Sequence, residues 1–237
     1  MTPAHLVLVP GHAVWSGRGD PLESGTWFLK PFQNNEPTLL IEHLRSGIAK
    51  AAGDPASVLV LTGGPTERQA GPRSEALGYW EIAERHGFWG HTGVRERCVL
   101  EEYSLDSFLN LMYGLCRFRE WAGGWPARIT VAGWGFKSRR FAELHRRALR
   151  WERPFESLAV NEPPGYEEAA AREAETREQW RQDPYGALAP LAGKRASRDH
   201  FRRTPPYAST CPEVAGLLAH RGPEVYSGAL PWDSETG

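Results

Sequence analysis

Five short apolar runs alternate with longer helical patterns, and this alternation constrains the fold more than any other feature of the sequence. The runs cover residues 5–9, 57–61, 97–100, 128–132 and 156–160. Nearly continuous apolar strands separated by helices are typical of a parallel sheet that is covered on both faces. We therefore predict an α/β protein with a Rossmann-like, open, mainly parallel five-stranded sheet and helices on both faces.

Helical spacing of apolar residues predicts four helices between these strands, over residues 37–52, 73–86, 104–121 and 137–150. Pro37 suits a first helical position, and Ser104 is the expected N-cap of the third helix. Residues 167–182 form a further, highly charged helical pattern, which we interpret as a solvated face. We predict one domain over residues 1–237, with a core at about 5–160 and a helical C-terminal extension at about 161–230.

The composition argues against several classes of protein. A net charge of −1 over 237 residues favours neither nucleic acid nor a membrane surface as a partner. The three cysteines are widely separated and show no CxxC spacing, so neither a disulfide framework nor a structural zinc site is expected. No segment resembles a signal peptide or a membrane span, and we expect a soluble, cytoplasmic protein.

The first candidate functional segment is the turn after the first predicted strand, where Gly11 and His12 follow Pro10. Ligands of open parallel sheets bind outside the carboxyl ends of the strands, and glycine allows a close backbone approach there. Histidine titrates near neutrality, so we interpret His12 as a general base, general acid or phosphate donor. The alternative is a histidine that only hydrogen-bonds the neighbouring loop.

A second candidate segment follows the second predicted strand. The consecutive glycines Gly63 and Gly64 allow backbone N–H groups to point at an anion, and the next helix adds its positive dipole end. We place Thr66 and Glu75 in the same ligand-binding set. The segment has neither GxGxxG nor the P-loop ending, and an ordinary turn is the alternative, with Glu75 complementing the helix dipole.

The third candidate segment is acidic and leads from the third predicted strand into a helix. Glu102 and Asp106 are our candidate catalytic residues, and Ser104 and Asn110 our candidate ligand-binding residues. Carboxylates and amides of this kind can hold a ribose, an amine or a metal. Because no HExxH or DxDxD cluster accompanies them, we predict no metal site, and no motif identifies a cofactor.

The fourth candidate segment runs from the fourth predicted strand through glycines into a helix whose first turn carries Lys137 and Arg140. Cations at a helix N-terminus oppose the helix dipole, so they call for an anionic partner. A phosphate, a carboxylate or a nearby glutamate would supply it. The alternative is that both side chains extend outward into solvent.

Four motifs, in this order along the chain, resemble those of the DUF218 family. They are the GGxT segment at residues 63–66, the Ser-Glu-Ala tripeptide at 74–76, the acidic segment at 101–110 and Gly-x-x-Phe-Lys-x-x-Arg-Phe at 133–141. The likeness covers roughly residues 5–160. It implies a Rossmann-like fold with a ligand crevice built by these motifs, and it implies no known reaction.

The resemblance is strongest to the cytosolic fungal branch of this family. Features similar to that branch are PGHA at residues 10–13, Trp27, residues 30–33, Glu42-His43, His145, Trp151 and residues 183–186. Bacterial relatives of the YdcF/SanA/ElyC group often carry a membrane anchor. At residues 137–141 these relatives usually show His-Met-x-Arg-Ala. This chain retains the arginine as Arg140 but has Lys137 in place of the histidine. A histidine-based mechanism therefore does not transfer directly from those relatives.

The sequence is compatible with three functional classes. Our leading hypothesis is a hydrolase or group transferase that acts on a small anionic, phosphorylated or nucleotide-like molecule. The alternative is a non-catalytic binding protein for a nucleotide or an adenosyl metabolite such as S-adenosylmethionine. A third class is an interaction protein that uses its ten tryptophans and charged tail as a partner surface.

Overall fold

The computed structural model describes residues 2–233 and contains one five-stranded sheet. Its strands are β1 (His5–Pro10), β4 (Ser57–Thr62), β5 (Cys98–Glu101), β6 (Arg128–Trp134) and β7 (Phe155–Asn161). All neighbours in this sheet are parallel, which confirms the five predicted strands and the predicted α/β fold class. Two short strands that were not predicted, β2 (Val14–Trp15) and β3 (Trp27–Phe28), form an antiparallel pair after β1.

Helices surround the sheet and continue after it. They are α1 (Pro37–Ala52), α2 (Glu75–Arg85), α3 (Thr92–Arg95), α4 (Ser107–Ala122), α5 (Arg146–Ala148), α6 (Tyr166–Gln182), α7 (Leu191–Ala196), α8 (Tyr207–Thr210) and α9 (Ala215–Ala219). The first predicted helix has the observed bounds. The fourth is less regular than predicted, because a 3-10 turn and a π-helical segment precede α5.

The N-cap assignment of Ser104 is wrong. The cap of α4 is Asp106, whose carboxylate accepts a hydrogen bond from the Leu109 N–H at 2.9 Å. The helix therefore starts three residues later than predicted. An ionised carboxylate at this position also complements the positive end of the helix dipole, which a serine hydroxyl does less well.

Side chains of β1 alternate between two hydrophobic clusters, one on each face of the sheet. Leu6 and Leu8 point into the cluster built with α4, while Val7 and Val9 point into the cluster built with α1 and α2. Every residue of β1 is buried. A central strand covered on both faces needs apolar residues at successive positions, which explains the continuous apolar run in the sequence.

The chain after β7 packs against the α4 face of the sheet. Its buried aromatic residues Trp180, Tyr185, Tyr207 and Trp232 belong to the same hydrophobic cluster as α4. The charged helix α6 is mostly exposed but buries Glu173 and Trp180. The interpretation of residues 167–182 as a solvated face therefore holds for most of the helix and fails at Glu173.

The strand order is β5-β4-β1-β6-β7, so the direction of sheet growth reverses between β1 and β6. In open α/β sheets, ligands bind at such a reversal, outside the carboxyl ends of the strands. The chain leaves β1 toward His12 and leaves β6 toward Lys137, so this topology places both residues at the same end of the sheet. No helix within residues 2–233 has the length and apolar character needed to cross a membrane.

Candidate functional site

A cavity of about 220 Å³ opens at this end of the sheet, and we call it the main cavity. Nine of the twelve predicted site residues line it: Gly11, His12, Thr66, Glu75, Ser104, Asp106, Asn110, Lys137 and Arg140. They come from the turns after four different strands. The other three predicted residues, Gly63, Gly64 and Glu102, do not line it.

His12 lies between the main cavity and a cluster of aromatic rings. Its ring centroid is 5.4 Å from that of His43 and 6.0 Å from that of Trp134. Its Nε2 atom is buried without a hydrogen-bond partner among the described residues. Burial, with a smaller contribution from Lys137, lowers the pKa of His12 well below its usual value, so the imidazole is neutral at pH 7.

Gly11 and Gly63 create the space that the Glu75 side chain occupies. A Cβ atom on Gly11 would lie 2.5 Å from the Cβ of Glu75, and one on Gly63 would lie 2.8 Å from the same atom. Gly63 also has a φ of +147°, which favours glycine. The Glu75 carboxylate accepts a hydrogen bond from the Thr66 hydroxyl. Burial raises the pKa of this carboxyl above its usual value.

The backbone amides of the glycine pair are already engaged. The N–H of Gly63 donates to the Glu101 carbonyl at 3.0 Å, and that of Gly64 donates to the Ser104 carbonyl at 2.8 Å. These amides are therefore not available to an anion in this arrangement. The pair acts instead through packing, since it allows β4, β5 and the start of α2 to approach closely.

Lys137 lines the main cavity without a direct polar partner for its ammonium group within residues 2–233. Its Nζ atom has no hydrogen bond or ion pair with any described residue, and it lies 5.2 Å from the centroid of the Phe136 ring. Burial, together with the nearby Arg140, lowers its pKa to about 8. The ammonium form still predominates at pH 7 and has no direct ion-pair partner among the described residues, while the nearby carboxylates of Glu173 and Glu36 act to raise its pKa.

The second cation of this segment is neutralised from a distant part of the chain. The Arg140 guanidinium forms a two-pronged ion pair with Glu173 of α6, with 2.9 Å between Arg140 Nε and Glu173 Oε1. The Glu173 side chain is only 2% exposed. Sequence reasoning required an anionic partner for Arg140 but did not identify Glu173, because 33 residues separate the two.

Most other charges in the wall of the main cavity also occur in pairs. Lys30 pairs with Glu67 at 3.2 Å, and Asp106 pairs with Arg195 at 2.6 Å. Arg198 also lines the cavity and donates to the Leu105 carbonyl at 2.9 Å, without a carboxylate partner among the described residues. Within the described part of the chain, Lys137 and Arg198 therefore remain without a carboxylate partner in the wall, and the Glu75 carboxyl, whose pKa burial raises, remains without a cationic partner. Sequence analysis did not identify Arg195 and Arg198, which lie in a segment, residues 194–203, where five of the ten residues are Lys or Arg.

The acidic segment after β5 is divided between structural and cavity-facing positions. Glu101 is fully buried, and its carboxylate accepts hydrogen bonds from Thr62, Tyr207 and two backbone N–H groups. Glu102 accepts a hydrogen bond from the Ser74 hydroxyl at 2.7 Å, away from the main cavity. Both oxygens of Asp106 are engaged, one by the Leu109 N–H and one by Arg195.

Ser104 and Asn110 reach the main cavity from a buried hydrogen-bond network. Thr62 Oγ1 lies 2.9 Å from the Ser104 hydroxyl and 3.2 Å from Asn110 Oδ1, while its single proton is donated to Glu101. The Asn110 amide nitrogen forms no hydrogen bond with a described residue, so it can donate to a ligand. No group of three or more His, Cys, Asp or Glu residues within residues 2–233 is arranged to hold a metal ion.

A second cavity of about 240 Å³ adjoins the main cavity. The two share Phe32, Gln33, Lys137 and Arg140 in their walls. The second cavity is lined largely by apolar groups, with the aromatic rings of Phe32, Trp134 and Phe136 among them. An aromatic group and an anionic group on one molecule could therefore occupy neighbouring positions on either side of these shared residues.

Comparison with known proteins identifies one relevant similarity. The chain is 26% identical over 266 aligned positions to an uncharacterized protein of Saccharomyces cerevisiae, and the alignment covers 86% of each chain. No family model matches the chain, and no solved structure matches it significantly. The functional argument therefore depends on the chemistry of the two cavities.

Proposed function

We propose that this chain is a hydrolase or group transferase that acts on a small phosphorylated or nucleotide-like molecule bound in the main cavity. We also propose, from the four sequence motifs, that it belongs to the DUF218 family. The observation that carries the functional proposal is the Lys137 ammonium, which lines the main cavity without a direct ion-pair partner among the residues that the structure describes. Leaving a partly buried charge unpaired costs free energy, and a bound anion offsets that cost.

The proposal assigns a role to each group that faces the main cavity. Lys137 and Arg198 bind the anion, and Arg140 contributes through the side of its guanidinium that Glu173 does not occupy. Neutral His12 acts as the general base or as a hydrogen-bond partner of the reacting group. Asn110 orients the remainder of the substrate. Asp106 has no catalytic role in this proposal, because both its oxygens are already engaged. It positions the start of α4 as the helix cap.

Calorimetric titration with inorganic phosphate tests the anion site. Lys137→Met should weaken phosphate binding by roughly 10-fold to 100-fold, the effect of losing one charge-assisted hydrogen bond. Lys50→Met is the matched control, because Lys50 pairs with Glu156 at the opposite end of the sheet. Equal phosphate affinity in wild type and Lys137→Met would contradict the proposal.

The second cavity favours one alternative, a non-catalytic binding protein for a nucleotide or an adenosyl metabolite such as S-adenosylmethionine. Its aromatic rings can stack on a heterocyclic base while the Lys137 side faces the anionic part of the molecule. Phosphate release from p-nitrophenyl phosphate separates the two functions. An enzyme releases phosphate as wild type, whereas a binding protein shows no turnover and only loses affinity for the ligand in His12→Ala.

A further inference from the structure

Ser107 and His145 form a hydroxyl–imidazole pair in the wall of the main cavity. Ser107 Oγ lies 2.8 Å from His145 Nε2. Ser107 is half-buried and lines the cavity, whereas His145 lies behind it and is completely buried. This places a serine oxygen on the ligand side and a proton acceptor on the protein side, the arrangement that activates a nucleophilic serine.

The roles within this pair depend on the tautomer of His145, because the two lone pairs of Ser107 Oγ can accept from Arg140 and from an Nε2–H at once. Arg140 Nη1 donates to Ser107 Oγ at 3.2 Å, and a guanidinium can only donate. Burial, with a contribution from Arg140, lowers the pKa of His145 well below its usual value, so its ring is neutral at pH 7. In the tautomer with its proton on Nδ1, Nε2 accepts the Ser107 hydroxyl proton.

Packing holds the imidazole in place. The rings of Phe108, Phe141 and Trp180 surround His145, with centroid distances of 5.8, 5.4 and 4.7 Å. Its Nδ1 atom has no hydrogen-bond partner among the described residues. Apolar packing therefore replaces the carboxylate that orients the histidine in a Ser-His-Asp triad.

We propose that Ser107 is the nucleophile of a two-step phosphoryl transfer in which His145 is its general base. This inference rests on the proposed function, since it names the reaction of the same site. Ser107 is the first residue of α4, whose first turn offers unpaired backbone N–H groups and a positive dipole end to the oxygens of a bound phosphoryl group.

The first step forms a phosphoserine. The Ser107 Oγ–phosphorus bond forms as its proton moves to His145 Nε2, and the bond between phosphorus and the leaving oxygen breaks. The leaving oxygen takes a proton from the Lys137 ammonium, which gives a neutral amine. Binding of a phosphate dianion beside Arg140 offsets the charge that disfavours protonation of His145 in the free protein.

The second step regenerates the protein. Water attacks the phosphorus of phosphoserine and gives a proton to the Lys137 amine, while Ser107 Oγ leaves with the proton from His145 Nε2. Water and the phosphorylated substrate thus yield an alcohol and inorganic phosphate, and no proton is gained or lost by the site. An alcohol in place of water gives group transfer by the same route.

Labelling with diisopropyl fluorophosphate, followed by peptide mapping, tests the nucleophile without knowledge of the substrate. We expect the wild-type protein to carry the label on Ser107, and Ser107→Ala to remain unlabelled. Ser209→Ala, which removes an exposed serine outside the cavity, should be labelled like wild type. Peptide mapping of the wild-type protein tests the proposal even if a variant does not fold. A label on another residue, or no label, would overturn the assignment of Ser107 as the nucleophile.

The role of His145 is tested by the rate of labelling. Loss of a general base should slow labelling of His145→Gln by roughly 10²-fold to 10⁴-fold in protein that circular dichroism shows to be folded. Unchanged labelling of Ser107 in folded His145→Gln would remove the base from the proposal. If that variant does not fold, the labelling rate of the wild-type protein in D2O gives the same information, because general-base catalysis makes labelling slower in D2O than in H2O, and equal rates count against His145.

Inorganic phosphate separates this inference from the proposed function. Phosphate binding measured by calorimetry without any label on Ser107 would leave the anion site standing and eliminate the nucleophile. A label on Ser107 without measurable phosphate binding would retain the nucleophile and overturn the phosphate substrate class. Protection of Ser107 by phosphate supports both.

Discussion

The lowered pKa of Lys137 predicts that anion binding is accompanied by proton uptake. The pKa of this residue is about 8 in the free protein. A dianion beside the ammonium stabilises the charged form and raises the pKa toward or above the usual value of about 10.4. At pH 8 Lys137 is therefore neutral in about half of the free protein, and at pH 9 in about nine-tenths. These molecules must take up a proton when they bind the anion.

Sulfate is the appropriate probe, because it stays doubly ionised throughout this pH range and any proton uptake comes from the protein. Calorimetric titrations in buffers of different ionisation enthalpy should show about 0.5 proton taken up per sulfate at pH 8 and about 0.9 at pH 9. The affinity for sulfate should fall about fivefold between pH 8 and pH 9, since only the protonated protein binds.

Lys137→Arg provides the matched variant, because an arginine stays charged over this whole range. It should bind sulfate without proton uptake and with an affinity that does not change between pH 7 and pH 9. His43, whose pKa burial lowers to about 4, and the neutral His12 remain uncharged at these pH values and do not contribute. Binding without proton uptake in wild type, or an equal loss of affinity in Lys137→Arg, would refute the reasoning.

Three further predictions concern stability, each measured as the free energy of urea unfolding. Glu173→Gln should cost about 3–5 kcal/mol, because it leaves Arg140 without its ion-pair partner. The double variant Glu173→Gln with Arg140→Met should recover much of that loss. If the two substitutions instead change the free energy of unfolding additively, the ion pair does not couple them. Gly11→Ala should cost about 1–3 kcal/mol, because the new methyl overlaps Glu75, and a neutral effect would contradict that packing. Asp106→Ala should cost at least about 2 kcal/mol, because it removes both the helix cap and the ion-pair partner of Arg195; Asp106→Asn should restore only part of this loss, and equal stability of Asp106→Asn and wild type would contradict the ion pair.

The strands could be predicted from sequence because their signal is local. Each buried parallel strand is a short apolar run, and the run at residues 57–61 differs from the observed strand Ser57–Thr62 by one residue. Pro37 marked the start of α1 correctly, since proline at the first helical position lacks only an N–H that the helix does not use. The start of α4 was misplaced because two capping residues, Ser104 and Asp106, compete within three positions.

The charge balance of the site could not be predicted, because it depends on contacts between distant segments. The Arg140–Glu173 pair spans 33 residues and the Asp106–Arg195 pair spans 89. Sequence alone presented Lys137 and Arg140 as equivalent cations. Only the packing of α6 against the 3-10 and π-helical segments after β6 shows that Arg140 has a direct ion-pair partner and Lys137 does not.

These contacts make the C-terminal extension a part of the site rather than an addition to a finished core. Glu173 neutralises Arg140, Arg195 holds Asp106, and Arg198 enters the wall of the main cavity. Without the extension, Arg140 and Asp106 would both lose their counter-charges, and the contrast with unpaired Lys137 would disappear. The charge arrangement of the proposed anion site therefore depends on residues that follow the sheet, and a chain ending at residue 161 would lack it.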